Sequence, residues 1–428
     1  MTLTNLKESE VIFKNNRFNA LTVPTLGFFA GFAGVALFGP MVPKFIHLLH
    51  LNPLQAGLLV SITSLSGSLL RIPFGAIAGS KGSRRPFITL LVLSILGVGA
   101  LLFILQSSYP THMKGTYPLL LLSGALAGAG IATFSVGATQ VAKSTSKADH
   151  GKRLGIFAGI GNLAPGVFSL LLPIAVINFG LITAYWMWLA LLVVALVVYM
   201  VFSPKSETGS SPNSSSFLEI KKAAKHKEVW ALTVLYFSSF GGFLALSAWL
   251  PLFWHTQFHL SLLEAGSITL VFGVVASFSR ILGGVLADKI ASIVLFSYLL
   301  LGTLVISSFM AFTQNDLTVA IVLVLGLGST FGALSGVIFR RVPSVVPNIV
   351  GGVAGIVGGI GALGGFIIPP LMGFSIKTFG ASSNYYIGFS VIVFLTVFDF
   401  VALMLLSKKG LETRSMFSST SSLELPEP

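Results

Sequence analysis

Gln55-Ala56-Gly57 and Arg71-Ile72-Pro73-Phe74-Gly75 lie in one apolar stretch of this 428-residue chain, and their pattern recurs 209 residues later. The second copy reads Glu264-Ala265-Gly266 and Arg280-Ile281-Leu282-Gly283-Gly284. In both copies the arginine interrupts a run of apolar and small residues. A charged side chain at the centre of a bilayer costs roughly 2.5–3.5 kcal/mol even on the lenient insertion scales. Two such charges at matching places in a repeat indicate a central site for an anion.

The composition is that of an integral membrane protein. Hydrophobic residues make up 54% of the chain and charged residues only 9%, whereas a soluble domain carries about 25% charged residues. Apolar runs that are long enough to cross about 30 Å of hydrocarbon as helices occur twelve times. The predicted spans are 21–46, 54–79, 86–106, 117–142, 152–179, 181–202, 229–255, 262–289, 292–313, 317–341, 349–376 and 384–406. We therefore predict an all-α integral membrane protein with twelve transmembrane helices.

Several classes of protein are disfavoured by what the sequence lacks. The first twenty residues have no short apolar core followed by a cleavage site, so we expect the first apolar segment to be retained. The chain has no cysteine, which excludes disulfides, thiol chemistry and cysteine metal sites. No nucleophile–base pair, phosphate loop or metal-binding cluster is evident. We predict a protein that is not an enzyme and needs neither a metal nor another cofactor.

Lysine and arginine are distributed unevenly between the two sides of the predicted membrane. With both termini inside, 21 of the 26 basic residues fall in inner loops or tails, and only Lys44, Lys114 and Lys377 fall outside. Arg71 and Arg280 are the remaining two. This asymmetry follows the positive-inside rule. It predicts a multi-pass protein of the cell membrane with cytoplasmic termini, and it explains the net charge of +13 without a nucleic-acid partner.

A polar stretch at 203–228 divides the chain into two halves of six helices. We assign 1–20 and 407–428 to cytoplasmic tails, and 21–202 and 229–406 to the halves. Part of the linker, 217–228, has the pattern of a short basic amphipathic helix on the inner leaflet, although a plain connector is equally compatible with it. A second repeat supports the two halves, because 155–163 matches 355–363 at six of nine positions. Such repeats predict a substrate site at mid-membrane between the halves.

Two ordinary explanations compete with a substrate site for the arginines: extension to an interface, or pairing with a buried carboxylate. Eight residues separate each arginine from Gly79 or Asp288, which places both about 12 Å from the inner helix ends. Of the 13 acidic residues, only Asp399 lies clearly inside a predicted span. With no internal counter-ion, we expect a diffusible anion as the partner. A guanidinium group forms paired hydrogen bonds to planar oxyanions.

Other candidate residues follow from the second repeat and from helical spacing. Asn162 stands where the repeat has Ala362, so its amide is a candidate donor to an oxyanion. Tyr236 and Phe240 lie one turn apart on the seventh span and share a face, which suits a cavity wall as well as ordinary packing. Glycines of the fifth and eleventh spans permit close helix packing or leave backbone open to a substrate. The close-packing glycines that we expect near the site are Gly159, Gly161, Gly359, Gly361 and Gly364.

Three segments of the chain resemble the nitrate/nitrite porter family of the major facilitator superfamily. They are 70–75, 158–163 and 358–366, and the resemblance extends over nearly all of the membrane portion. The spacing of Tyr236 and Phe240 also looks like the seventh helix of that family. The resemblance implies the major facilitator fold and transport of nitrate or nitrite by alternating access. We expect a monomer in the lipid bilayer.

The resemblance also implies roles for individual residues. Arg71 and Arg280 would contact the anion from both sides, and Asn162 and Tyr236 would donate hydrogen bonds to it. Phe134 and Phe240 would close the cavity above and below the plane of the anion.

The loop motif of the superfamily is altered in this chain. The first half lacks the acidic residue that should follow Gly75, because Gly79 and Ser80 stand in that region. The second half keeps Asp288-Lys289 but lacks the Gly-Arg-Arg that should follow. These departures call the usual inner-gate salt bridges into question. Pro165 interrupts the first glycine-rich signature and is expected to kink the fifth span.

The coupling mechanism and two rival functions stay open at this point. Carboxylates are scarce and the seven histidines fall in or near loops, which favours exchange of one anion for another over proton symport. A carrier of another small anion, such as a monocarboxylate, would need a roomier cavity than one walled by Phe134, Tyr236 and Phe240. An anion sensor that transports nothing usually carries a soluble output domain, and the linker at 203–228 leaves no room for one.

Overall fold

The computed structural model describes residues 19–145, 150–204, 216–312, 316–379 and 384–420, and all regular elements in these ranges are helices. Twelve of them are long and apolar enough to cross a membrane. In chain order, spans 1 to 12 are Asn19–Leu49, Pro53–Lys81, Arg84–Ser108, Tyr117–Lys143, Arg153–Phe179, Leu181–Phe202, Lys227–Phe258, Leu262–Lys289, Ser292–Ala311, Leu317–Val345, Val350–Phe379 and Tyr385–Leu406. The protein is a multi-pass membrane protein with the twelve-helix architecture that the sequence predicts.

The ends of the spans differ from the predicted ends by at most four residues. Most of the differences arise because the helices continue beyond their apolar runs. Span 10, for example, continues past Arg340 and Arg341 to Val345. The last helix runs from Ser390 to Thr420, so it includes much of the predicted tail at 407–428. Residues 1–18 of the predicted tail at 1–20 and the linker residues 205–215 lie outside the described residues.

Three spans of the first half are interrupted next to candidate site residues, and span 4 is one of them, with a 3₁₀ segment at Gly128–Ala132 just before Phe134. Span 2 consists of the α-helices Pro53–Leu69 and Arg71–Lys81, and span 5 consists of His150–Asn162 and Ala164–Phe179. Proline explains the breaks in spans 2 and 5, because its ring nitrogen cannot donate to the carbonyl four residues earlier and its ring collides with that carbonyl. Pro73 and Pro165 stand just after the two breaks. Span 5 is interrupted at Leu163, two residues before Pro165, at the place where the sequence predicts a kink.

Span 11 is interrupted in the second half. Its α-helix Val350–Ile360 changes into a short 3₁₀ segment, Gly361–Leu363, before the helix Gly364–Phe379. The last four carbonyls of an α-helix have no partner within that helix. The carbonyl of Gly358 belongs to this last turn, and it is therefore free to accept a hydrogen bond from another span.

The two halves are pressed together at one end of the bundle. We call the end that holds the connections 81–84 and 289–292 the basic side, and the other end the opposite side. Toward the opposite side, a methyl group built on Gly57 of span 2 would lie 2.4 Å from the carbonyl oxygen of Pro369 in span 11. One built on Gly266 of span 8 would lie 2.2 Å from the carbonyl oxygen of Ser169 in span 5. The repeated glycines therefore permit equivalent backbone contacts between the halves.

The same span 5 lacks close neighbours toward the basic side. A methyl group on Gly155 or Gly159 would meet no atom within 4 Å. The side chains of Ile156 and Ile160, on the same stretch of helix, are 39% and 43% exposed. The first and second halves are thus in close contact on the opposite side, while span 5 stands open toward the basic side.

A short helix, Ser216–Ala223, precedes span 7 and packs against span 11. A methyl group on Gly352 would lie 2.5 Å from the backbone carbonyl of Glu219, and Ala223 is fully buried. Phe217 and Leu218 are exposed. The predicted amphipathic helix is therefore present, although it is shorter than 217–228 and one of its faces is covered by protein.

The close contact at Gly57 leads to a stability prediction. Gly57→Ala should destabilise this conformation by about 1–3 kcal/mol, because overpacking a tight contact forces the backbone apart. Gly159→Ala is the matched control, since its added methyl group meets open space. Thermal unfolding of the purified variants measures the difference. Equal melting temperatures for the two variants would contradict the close contact described here.

Candidate functional site

Arg71 begins the second segment of span 2 and is almost fully buried, with 2% of its surface exposed. Its guanidinium group lies between two aromatic rings. The Cζ atom is 5.2 Å from the ring centroid of Phe134 and 5.3 Å from that of Phe240. Phe32 approaches at 6.0 Å. These distances are in the range of cation–π attraction, which stabilises the charge without using its N–H groups.

Most of the hydrogen-bonding capacity of Arg71 is unused. Its Nη1 atom donates to the carbonyl oxygen of Gly358 in span 11 at 3.3 Å. Its Nε and Nη2 atoms are buried and have no hydrogen-bond partner among the described residues. Buried polar groups in proteins are nearly always paired, and an exception calls for an explanation such as the binding of a ligand or ion. The free donors of Arg71 indicate a place for an acceptor.

Arg280 of span 8 has a similar environment in the other half. Its Nη2 atom donates to the hydroxyl oxygen of Tyr236 at 3.3 Å. Its Cζ atom lies 5.1 Å from the ring centroid of Phe240, 5.4 Å from that of Phe339 and 5.9 Å from that of Tyr236. Three aromatic rings therefore surround each arginine.

Phe240 is the residue that both arginines contact. Its ring stacks on that of Tyr236 with centroids 4.8 Å apart and an interplanar angle of 10°, as their four-residue spacing on span 7 predicts. Each guanidinium carbon lies within 5.3 Å of the Phe240 centroid. Two residues that are 209 positions apart in sequence therefore meet at one ring.

A small cavity of about 10 Å³ adjoins this cluster. The first half contributes Asn162, which is 2% exposed and whose Oδ1 atom has no hydrogen-bond partner among the described residues. The second half contributes Arg280 and Phe240. The other lining residues are Phe243, Ala276, Ser277, Gly332 and Ser335. Asn162 and Arg280 therefore line one cavity, as expected for a site between the halves.

The candidate glycines do not all behave alike. Four of them have a close neighbour, which an added methyl group would meet. At Gly161 and Gly359 the methyl group would lie 1.9 Å from Phe28 and 2.4 Å from Ile72, respectively. At Gly361 and Gly364 it would lie 2.8 Å from Tyr236 and 2.2 Å from the Phe237 carbonyl. Gly159 differs from the prediction, because nothing lies within 4 Å of its missing side chain. The break at Leu163 and the open basic side of span 5 leave it without a neighbour.

No carboxylate in the described part of the chain lies within 4.0 Å of either arginine. Asp399, the acidic residue inside span 12, is buried, and its Oδ1 atom accepts a hydrogen bond from Ser238 of span 7 at 3.0 Å. Asp288 instead pairs with Arg340 at the end of the helices. The arginine charges at the site therefore lack a counter-ion among these residues.

The altered loop of the first half is also explained by the structure. At the end of span 2, Lys143 donates from Nζ to the backbone carbonyls of Ala78 and Gly79, both at 2.9 Å. A cation at the carboxyl end of a helix is favourable because the last carbonyls carry partial negative charge. Backbone carbonyls of span 2 thus take the place of the missing acidic side chain as the partner of a basic residue.

Sequence reasoning missed two contributors to the site. Phe339 touches Arg280 and stacks obliquely on Tyr236 at 5.0 Å, but nothing distinguishes it in sequence from the other 35 phenylalanines. The Gly358 carbonyl is a backbone group, so no residue type marks it. The glycine-rich pattern of span 11 was the sequence feature that could have indicated this carbonyl, since an irregular, glycine-rich helix exposes backbone acceptors.

The arrangement is suited to binding an anion. It combines two positive charges, free N–H donors and aromatic walls in a cavity shared by the halves. The described residues contain no group of three or more potential metal ligands. The site therefore offers electrostatic attraction and hydrogen bonds, and no group placed for covalent chemistry.

Comparison with known sequences gives consistent results. The sequence model of the Major Facilitator Superfamily matches residues 25–369. The probable nitrate transporter NarT of Staphylococcus haemolyticus is 30% identical over 91% of this chain and 97% of its own length. The nitrite extrusion protein of Bacillus subtilis is 29% identical, with coverages of 90% and 94%. The probable nitrate/nitrite antiporter NarK1 of Thermus thermophilus is 28% identical, with coverages of 84% and 85%.

Solved structures show the same fold at lower sequence identity. A D-xylose-proton symporter is similar with a TM-score of 0.70 and 15% identity, over 90% of this chain and 97% of that one. A bacterial homologue of the human lysosomal transporter Spinster has a TM-score of 0.64 and 17% identity, with coverages of 91% and 96%.

The position of Asp399 yields a prediction. Asp399→Asn should keep the melting temperature close to that of the unaltered protein, because the amide oxygen still accepts the hydrogen bond from Ser238. Asp399→Leu removes the acceptor and should cost about 1–3 kcal/mol, the penalty of an unpaired buried group. Thermal unfolding of both variants tests this. A large loss in Asp399→Asn would mean that the negative charge itself is required.

Proposed function

Because the chain belongs to the nitrate/nitrite porter family of the major facilitator superfamily, we propose that it transports nitrate, nitrite or both by alternating access around Arg71 and Arg280. The observation that carries this proposal is the pair of guanidinium groups, one from each half, that meet at Phe240 and have no carboxylate partner among the described residues. The names of the relatives supply the substrate. The protein is a transporter and not an enzyme.

The geometry supports a small, flat oxyanion. The free Nε and Nη2 atoms of Arg71 form the two-pronged donor pattern that matches two oxygens of a planar anion. Asn162 lines the same cavity as Arg280, and an amide can supply a further donor. Tyr236 already shares a hydrogen bond with Arg280. We assign all four to the binding site, and Phe134 and Phe240 to its walls.

The rival substrate class is less well supported. A monocarboxylate carries an organic group in addition to its carboxylate, and the cavity of about 10 Å³ is bordered by rings that already contact the arginines. An organic group would therefore require more widening of the site than nitrate or nitrite. All residues that we assign to the site belong to one chain, which is consistent with a transporter that acts as a monomer.

The packing of the halves supports an inward-facing conformation. We propose that the basic side is cytoplasmic, with both termini there, since it holds most of the lysines and arginines. The halves are closed on the opposite side at Gly57 and Gly266, and span 5 is open toward the basic side at Gly155 and Gly159. Rocking of the halves about the arginines then exposes the site to each side in turn.

We propose exchange of one anion for another as the coupling. An empty site leaves two positive charges near one ring with no counter-ion in the described chain, which disfavours the closed intermediate. A bound anion offsets this repulsion and permits the halves to rock. Net return of the empty carrier is therefore slower than return with an anion.

The arginine pair is tested by conservative substitution. In proteoliposomes, Arg71→Lys and Arg280→Lys should each reduce nitrate-for-nitrite counterflow about 10- to 100-fold, because lysine keeps the charge but loses the paired donors worth roughly 1.5–3 kcal/mol. Lys143→Arg is a control at a basic residue away from the site. Full activity of both lysine variants would contradict a role for the guanidinium geometry, and inactivity of the unaltered protein would point to another anion.

Coupling is tested with vesicles that contain no internal anion substrate. We expect an inward proton gradient to drive little nitrate uptake into them, and internal nitrite to raise the initial rate at least about tenfold if empty-carrier return is disfavoured by about 1.4 kcal/mol. Vigorous acid-driven uptake without internal substrate would show proton symport instead.

A further inference from the structure

Two serines of span 2 lie between Arg71 and the opposite side of the bundle. Ser64 and Ser68 are 0% and 1% exposed, and neither hydroxyl has a hydrogen-bond partner among the described residues. Other serines of the same helix are paired. Ser61 donates to the carbonyl of Leu58, and Ser66 donates to the carbonyl of Thr63.

The two serines share a helix face with Arg71. Their spacing is four residues and then three, which places successive side chains above one another on an α-helix. This row therefore runs from the arginine toward the opposite side. Gly57, which touches the carbonyl of Pro369 in the other half, continues the same face at seven residues before Ser64.

The row faces the second half of the molecule. A methyl group on Gly365 of span 11 would lie 3.2 Å from the Oγ atom of Ser64 and 2.7 Å from Leu244 of span 7. One on Gly359 would lie 3.5 Å from the carbonyl oxygen of Ser68. The Ser64 hydroxyl and the Ser68 backbone therefore lie at the contact between the halves, and both serine side chains are buried there.

An unpaired buried hydroxyl costs free energy that folding ordinarily avoids. In a transporter the cost has a natural explanation if the hydroxyls acquire partners in the other conformation. Separation of spans 2 and 11 on the opposite side would uncover both serines at once. The row that they form leads to the free donors of Arg71.

We propose that Ser64 and Ser68 form an access subsite through which a small oxyanion reaches Arg71 from the opposite side, each donating its hydroxyl hydrogen to an oxygen of the anion. The subsite exists when the halves are separated there and is closed in the present conformation. This inference rests on the proposed transport function and adds residues that act on one side of the membrane only.

A sided transport assay tests the subsite. The Ser64→Ala, Ser68→Ala double variant should raise the nitrate KM about 100-fold in right-side-out vesicles, as expected for two lost hydrogen bonds to a charged ligand. The KM in inverted vesicles should stay within about twofold. Ser66→Ala is the matched control on the same helix, since Ser66 faces Gly128 of span 4 within the first half.

Thiol labelling provides a test that does not depend on transport. The chain has no cysteine, so Ser64→Cys and Ser68→Cys each introduce a single reactive group. An impermeant maleimide applied from the opposite side should label both during nitrate exchange. Ser94→Cys is the control, because Ser94 donates to the carbonyl of Ala127 in the interior of the first half and should stay unlabelled.

The outcomes separate this inference from the proposed function. Equal KM values on the two sides for the double variant, or two unlabelled thiols in a protein that still exchanges nitrate, would overturn the subsite. Labelling from the opposite side together with a one-sided KM change would support it. Labelling at both positions in a protein that moves no nitrate would support the access path and would refute nitrate as the substrate.

Discussion

Two positive charges that cannot be neutralised from within dominate this structure. Arg71 and Arg280 lie inside a helix bundle where an isolated charge is costly, and no carboxylate of the described chain approaches either one. Aromatic rings provide the compensation, with three around each guanidinium group. A ring face stabilises a cation while leaving its N–H groups available. A salt bridge would have occupied those N–H groups. Stabilisation of the charge by aromatic rings leaves them available to bind an anion.

The irregular helices of the bundle follow from the same requirement. A regular α-helix satisfies its own backbone and offers nothing to a neighbour, whereas spans 2, 5 and 11 are broken within a few residues of Arg71, Asn162 and Gly358. Breaks at these positions free backbone groups where the site can use them. Away from the site, bare glycine backbone allows the halves to approach closely, so one residue type supports both binding and movement.

Much of this organisation was predictable from the sequence, because the bilayer imposes simple rules. Span number, the two halves and the pairing of Arg71 with Arg280 follow from apolar length, charge asymmetry and the internal repeat. Phe339 and the Gly358 carbonyl were not predictable, since phenylalanine is abundant on lipid-facing surfaces and a backbone group has no sequence signature. Gly159 was wrongly expected to pack closely because glycine content does not reveal which conformation the halves adopt.

The hydrogen bond from Arg71 to Gly358 joins the halves at the site itself. Its acceptor is a neutral carbonyl oxygen at 3.3 Å, a weak counterpart of an anionic oxygen. This bond engages Nη1 and leaves the Nε–Nη2 edge of the guanidinium without a partner among the described residues. An anion on that edge and span 11 on the other would be held by one rigid, planar group. A shift of span 11 would then be transmitted to the bound anion, and a shift of the anion to span 11.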